Sequence, residues 1–99
     1  MMGHTPENPR IYIIGAGFAG RAIAREIREK AVFGSIVAFL DDDPLKVGHR
    51  IDDVPVLGPI RDVARLLALT PADEAIIAIP SATREYLREL YYILKEAGF

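Results

Sequence analysis

The residues in this sequence best suited to chemistry are the glycines of Gly15-Ala16-Gly17-Phe18-Ala19-Gly20. A G-x-G-x-x-G run breaks no bonds; it lets a main chain come close to an anion. Set directly after a strand and at the opening of a helix, Gly15 permits the tight turn and Gly17 lets the backbone approach a pyrophosphate. Gly20 then lets the helix pack close to the sheet. The amides at the helix start carry a dipole equivalent to roughly half a positive charge and face the phosphates. The alternative is a glycine turn that serves packing alone, but Gly17 has no evident packing duty. Asp41 is the second signal. It ends the second strand-like run, about 20 residues past the loop, where a carboxylate accepts hydrogen bonds from an adenosine ribose. Such a charge-assisted bond is worth roughly 1.5–3 kcal/mol. The same charge opposes a 2′-phosphate, so NAD is expected ahead of NADP.

The expected nucleotide contacts are therefore Gly15, Ala16, Gly17, Phe18, Ala19, Gly20 and Asp41, with Asp42, Arg50, Pro80 and Ser81 as further candidates. Asp42 and Asp43, beside Pro44, read better as turn formers than as metal ligands, because sequence neighbours rarely aim at one ion. His49 and Arg50 follow the second strand and either line the adenosine site or stay in solvent. Pro80-Ser81 closes the fourth strand, across from the glycine loop; Ser81 contacts ligand or caps the next helix. No metal site and no catalytic residue is expected. The chain has no cysteine, so a thiol nucleophile, a disulfide and a zinc-thiolate site are excluded. Tyr91-Tyr92-Ile93-Leu94-Lys95 has the Y-x-x-x-K spacing of short-chain dehydrogenases. Here it reads as a core tyrosine and a surface lysine near a helix end.

The elements that must position these residues alternate strand and helix. Ile11–Ile14, Ile36–Leu40, Val54–Leu57 and Ala75–Ile79 are apolar runs suited to strands buried on both faces. Pro55 suggests an edge position for the third, since proline cannot donate to a ladder. Helical periodicity runs from about Gly17 to Val32 (stripe Ala19, Ile23, Ile27, Ala31) and from Ile60 to Leu69 (Val63, Leu66, Leu67 inward). A third helix spans Ala82 to Ala97 (stripe Leu87, Leu90, Tyr91, Leu94), with Gly98 as its C-cap. Thr70-Pro71-Ala72-Asp73 reads as a turn. The pattern is that of parallel βαβ units and predicts an α/β, Rossmann-like, doubly wound sheet. About four strands are expected in order 3-2-1-4, stopping before a fifth. Strand four would then keep an open edge, which a homodimer or another partner could cover.

Ninety-nine residues with 51% apolar and 26% charged residues describe one globular domain. Residues 10–99 are expected to form it, with residues 1–9 a disordered leader or expression remnant. The net charge of −2 predicts no nucleic-acid partner, and no apolar run is long enough for a membrane contact. A cytoplasmic location is expected.

Together, Ile13-Ile14-Gly15-Ala16-Gly17-Phe18-Ala19-Gly20-Arg21-Ala22, Val37-Ala38-Phe39-Leu40-Asp41-Asp42-Asp43-Pro44, Val47-Gly48, Val54-Pro55-Val56-Leu57-Gly58 and Ile76-Ile77-Ala78-Ile79-Pro80-Ser81 carry a family likeness. They resemble the Rossmann-like, CoA-binding-type domain that precedes the catalytic part of CapD-like polysaccharide-biosynthesis proteins, the nucleoside-diphosphate-sugar epimerases and dehydratases. The resemblance implies an NAD(H)-binding domain whose contacts are Gly15, Gly17, Gly20 and Asp41. It also implies a catalytic domain elsewhere in a parent protein, anchored at the inner membrane, so catalysis by this chain alone is not expected. Similar domains occur in NADH-sensing repressors, in nucleotide-sugar-binding acyltransferases of the left-handed β-helix type and in CoA-binding proteins. NADP, UDP-sugar and CoA are accordingly the lesser ligand expectations, and a regulatory sensor or an assembly domain with a vestigial site are the alternative functions.

Overall fold

The computed structural model describes residues 7–99. Strand β1 (Arg10–Ile14) leads into helix α1 (Phe18–Lys30) and strand β2 (Ser35–Leu40). A short hairpin of β3 (Arg50–Ile51) and β4 (Val54–Leu57) follows, then a 3₁₀ turn at Ile60–Asp62, α2 (Val63–Leu69), β5 (Glu74–Ile77) and α3 (Arg84–Ala97). The sheet order is β3-β4-β2-β1-β5. Pairings β4–β2, β2–β1 and β1–β5 are parallel, and β3–β4 is antiparallel. The four expected strands thus lie in the expected order, and the fold is an α/β Rossmann-like, mostly parallel mixed sheet. The strand that carries Pro55, β4, is not at the edge expected for it: it lies between β2 and an unexpected fifth, antiparallel strand, β3. β3 is two residues long, and its turn, Asp52-Asp53, takes positive φ at both positions without the usual glycine. The β2–β4 ladder starts only at Phe39–Val56, past Pro55, whose ring nitrogen has no proton to donate.

Alternation along each strand builds two cores. Ile11 and Ile13 of β1, Phe39 of β2 and Val54 and Val56 of β4 face α1. Tyr12, Ile14, Ala38 and Leu40 face α2 and α3. All four residues Ile11–Ile14 are fully buried, as a central parallel strand requires. The Tyr12 hydroxyl, carried into this interior, donates to the Thr70 carbonyl, so its polar end is not left unpaired.

Two helix faces differ from expectation. The buried stripe of α1 is Gly20, Ala24 and Ile27, while Ala31 is an exposed left-handed C-cap. In α3 the stripe through Leu90 and Leu94 continues with half-buried Tyr86, Ile93 and Ala97. Leu87 and Tyr91 fall about 100° round the helix and are 39% and 54% exposed. Tyr91 is therefore not a core residue; it lies edge-on to Tyr92, with the Lys95 ammonium 5.9 Å from its ring centre. β5 stops at Ile77, two residues early, because β1 ends opposite it at Ile14. Of the expected leader, residues 1–6 lie outside the described residues. Asn8 and Pro9 contact the fold: Asn8 donates to the Ser35 hydroxyl at 3.0 Å and the buried Pro9 accepts from the Ser35 amide at 2.9 Å.

The turn at Thr70–Asp73 does more than reverse the chain. Asp73 accepts from the Arg10 amide at 2.7 Å and from its guanidinium at 3.0 and 3.1 Å, clamping the starts of β1 and β5. The side-chain and then the main-chain hydrogen bonds from Arg10 hold the Asp73 carboxyl below its ordinary range. A carboxyl lowered in the fold stabilises it above the unfolded pKa and loses that contribution as pH falls through the folded value. Asp73→Asn is therefore expected to lower the melting temperature slightly at about pH 6, the pair being exposed. The difference from wild type should shrink in thermal melts as the pH falls through and below the ordinary carboxylate range.

Candidate functional site

β1 has β2 on one side and β5 on the other, so the chain direction of the connections reverses there and a crevice opens at the carboxyl ends of the strands. The glycine loop fills its floor. The Gly15 amide donates to the Leu40 carbonyl at 2.7 Å, and the Ala78 amide donates to the Ile14 carbonyl at 2.8 Å. Gly15 is caught between the two neighbouring strands at φ +114°, and a Cβ there would stand 2.7 Å from the Ala78 oxygen. At Gly20 a Cβ would stand 1.9 Å from the Gly15 oxygen. Both glycines are demanded by the fold itself. Gly17 is different. Its φ of −86° suits any residue, and a Cβ there would meet only the Lys46 ammonium, at 3.9 Å. Gly17 is also the N-cap of α1, with no side-chain cap and no acidic residue in the first turn. In α3, by contrast, the Thr83 hydroxyl accepts from the Tyr86 amide at 3.0 Å.

The acidic run after β2 is a set of latches. Asp41 accepts from the Ala16 amide at 2.8 Å with one carboxylate oxygen and from the Asp43 amide at 2.9 Å with the other. Asp43 in turn accepts from the Leu45 amide at 2.9 Å, and its carbonyl accepts from the amides of Lys46 and Val47. Asp42 reaches across to the amide of Ile60 at 2.7 Å, tying the loop after β4 to the loop after β2. Each Asp41 oxygen keeps one lone pair for a ligand hydroxyl.

These loops enclose a cleft of about 500 Å³, within the range of small-molecule sites, roughly 300–1,000 Å³. Of the residues expected from sequence, Gly15, Gly17, Phe18, Ala19, Asp41, Asp42, Pro80 and Ser81 line it. Three do not. Ala16 and Gly20 are buried behind the loop, the first bonded to Asp41 and the second against Gly15. Arg50 belongs to the edge strand β3 and donates to the Asp53 carbonyl at 2.5 Å. His49 lies outside the lining as well, and Thr83, not Ser81, caps α3. The cleft also contains residues the sequence reading passed over: Lys46, Ile60, Ala78, Ile79 and Tyr86. Lys46 sits in the run Asp41-Asp42-Asp43-Pro44-Leu45-Lys46, so a cation following the acid was there to be noticed. Tyr86 carried no such signal, since only the packing of α3 turns it towards the loops. Burial first, then the carboxylates of Asp42, Asp41 and Glu89, push the Tyr86 phenol above its ordinary value. It is a neutral hydrogen-bonding group at neutral pH. Phe18 is 84% exposed at the rim, an apolar surface with no partner in the fold.

The cleft thus brings together a glycine floor, the carboxylates of Asp41 and Asp42, the Lys46 cation and apolar surface from Ile60, Ile79 and Tyr86. That combination suits a nucleotide: phosphates over the loop, ribose hydroxyls towards Asp41, base against the apolar side. Among the described residues no three His, Cys, Asp or Glu side chains gather to hold a metal, and no helix is long and apolar enough to cross a membrane.

Comparison with known proteins is consistent with this geometry. The CoA binding domain family matches residues 6–86. The redox-sensing transcriptional repressor Rex of Chloroflexus aggregans is 34% identical over 88 residues, which are 89% of this chain and 40% of the repressor. The probable polysaccharide biosynthesis protein EpsC of Bacillus subtilis is 36% identical over 83 residues, 83% of this chain and 14% of that protein. The chain therefore spans well under half the length of the curated relatives it matches. Among solved structures, RSP, a Rex-family repressor, in complex with β-NADH gives a TM-score of 0.76 at 26% identity, covering 93% of this chain and 43% of RSP. RSP in complex with β-NAD+ and operator DNA gives 0.76 at 26% identity, covering 93% and 41%. The last complex corrects the expectation of no nucleic-acid partner. Net charge counts only the residues present, and these 99 amount to less than half of such a repressor.

Proposed function

The chain belongs to the CoA binding domain family, and from that premise we propose that its cleft binds NAD(H) and serves as the redox-sensing module of a transcriptional regulator. The observation that carries the nucleotide reading is Gly17. The fold asks nothing of a glycine there, while a pyrophosphate over the loop leaves no room for a side chain. The sensing role is supported by the Rex repressors, alike over 89% of this chain, and by the two RSP complexes, one with β-NADH and one with β-NAD+ and operator DNA.

In this reading the diphosphate lies over Gly17 and the first amides of α1. The ribose hydroxyls use the remaining lone pairs of Asp41, and the adenine rests on Ile60, Ile79 and Tyr86. A second reading has its own support in the likeness to EpsC: a nucleotide-binding domain of a nucleoside-diphosphate-sugar epimerase or dehydratase in polysaccharide synthesis, its catalytic residues elsewhere.

Titration calorimetry of the chain with NADH, NAD+, NADP+, CoA and a UDP-sugar tests both. The proposal expects saturable NAD(H) binding with NADH and NAD+ differing at least about tenfold, a separation of about 1.4 kcal/mol. Equal affinity for the two oxidation states would sink the sensing role and favour the static epimerase-type domain. Binding of UDP-sugar or CoA alone would remove NAD(H) as the ligand, and binding of none would leave a domain used only for assembly.

A further inference from the structure

We propose that Lys46 is the residue that selects ligands carrying a diphosphate, closing over the glycine loop from the opposite wall of the cleft. The assignment rests on the nucleotide reading of the same cleft and adds to it a contact that lies outside the glycine motif. Lys46 lines the cleft, and its ammonium is the one group near the position a Gly17 Cβ would take, at 3.9 Å. A phosphate resting on the bare Gly17 backbone would therefore meet that ammonium directly. The ion pairs of the described residues are Arg10–Asp73, Arg25–Asp52, Lys30–Glu26 and Arg65–Asp62; Lys46 is in none of them, although Asp41 and Asp42 line the same cleft. The Asp41 carboxylate accepts from two amides and forms no ion pair with Lys46. The cation is thus left available for an anion.

Its position is also prepared in advance. Lys46 and Val47 donate their amides to the Asp43 carbonyl at 2.9 and 3.1 Å, and the His49 amide donates to the Lys46 carbonyl at 3.1 Å. The Asp43 amide is fixed by Asp41, which is itself fixed to the glycine loop. The lysine-bearing turn and the phosphate-bearing loop are therefore one rigid unit. A half-buried lysine whose main chain is fixed in this way gives up less order when its ammonium bonds an anion, and the bond is charge-assisted. An adenosine without phosphates gains nothing from it.

The test titrates wild type, Lys46→Ala and Lys46→Arg with inorganic pyrophosphate, ADP-ribose, NAD+, NADP+ and adenosine. Lys46→Ala is expected to weaken pyrophosphate, ADP-ribose, NAD+ and NADP+ by about tenfold or more and to leave adenosine unchanged. Lys46→Arg should restore most of the loss. The melting temperature without ligand should not move, because the ammonium joins no ion pair of the fold. Two results would overturn the assignment: undiminished pyrophosphate and ADP-ribose binding in Lys46→Ala, or a loss confined to NADP+, which would place the cation at a ribose phosphate. The two readings fail separately. Wild type that binds pyrophosphate through Lys46 but not NAD(H) keeps the lysine and loses the dinucleotide. Equal NAD(H) binding by wild type and Lys46→Ala does the reverse, and no binding of any probe removes both.

Discussion

Gly17→Val should leave a folded protein that no longer binds NAD(H). The backbone at Gly17 lies at φ −86°, open to any residue, and a Cβ there approaches nothing nearer than the Lys46 ammonium at 3.9 Å. The cost to the fold is the poorer N-cap, about 1 kcal/mol, which for a domain this size lowers the melting temperature by roughly 4–8 °C. The cost to binding is of another order. The isopropyl group occupies the space above the loop where a diphosphate would lie and separates that anion from the first amides of α1 and from Lys46. Losing two or more charge-assisted hydrogen bonds at roughly 1.5–3 kcal/mol each is a loss of at least about a hundredfold in affinity. Calorimetry with NADH, beside a thermal melt of the same sample, reads both effects. A variant that binds as wild type does would show that the loop is a packing turn and that the nucleotide reading is wrong.

Gly20→Ala should do the opposite and damage the fold before any ligand is added. The new methyl would stand 1.9 Å from the Gly15 carbonyl oxygen and 3.2 Å from the Ile13 side chain. Neither neighbour can yield cheaply: Gly15 is held by its hydrogen bond to Leu40 at φ +114°, and Ile13 is fully buried in the central strand. Helix α1 must lift from the sheet, loosening Ala24 and Ile27, which follow Gly20 on the same buried face. Overpacking of this severity costs about 3 kcal/mol or more, a melting-temperature loss of roughly 12–24 °C. That is a large part of the roughly 5–15 kcal/mol that holds such a domain together. A far-ultraviolet circular dichroism melt decides it. A drop of only a degree or two would mean that α1 takes up the methyl by a small shift and that the glycine is not required for its packing on the loop. The two glycines of one motif thus separate: the sheet requires Gly20 and leaves Gly17 free of any packing demand.

The four main strands are legible because Ile11–Ile14, Ile36–Leu40, Val54–Leu57 and Ala75–Ile77 are continuous apolar runs, and only a sheet covered on two sides accepts that. The glycine loop could be placed because its spacing follows a strand and opens a helix. The edge strand β3 could not, since two residues leave no period to detect and Asp52-Asp53 lacks the turn glycine. The expected inward stripe of α3 holds at Leu90 and Leu94 and fails at Leu87 and Tyr91. Leu87 and Tyr91 are as apolar as Leu90 and Leu94, and composition does not say which side of a helix meets the sheet.

The site divides along the same line. Local pattern accounts for the fold class, the order of the four main strands, the glycine turn and the acid beside it, because those follow from residue periodicity and from the few ways in which strands and helices connect. Tertiary structure alone decided that Asp41 spends one lone pair of each oxygen on the loops, that Lys46 stands over Gly17, that Tyr86 and Ile60 complete the cleft, and that Arg50 stays out of it. Each of these depends on how loops far apart in the chain are brought together at the carboxyl end of the sheet. Pattern along a chain reports which residues share a face of one element; distances between elements arise only when the sheet closes them on one another.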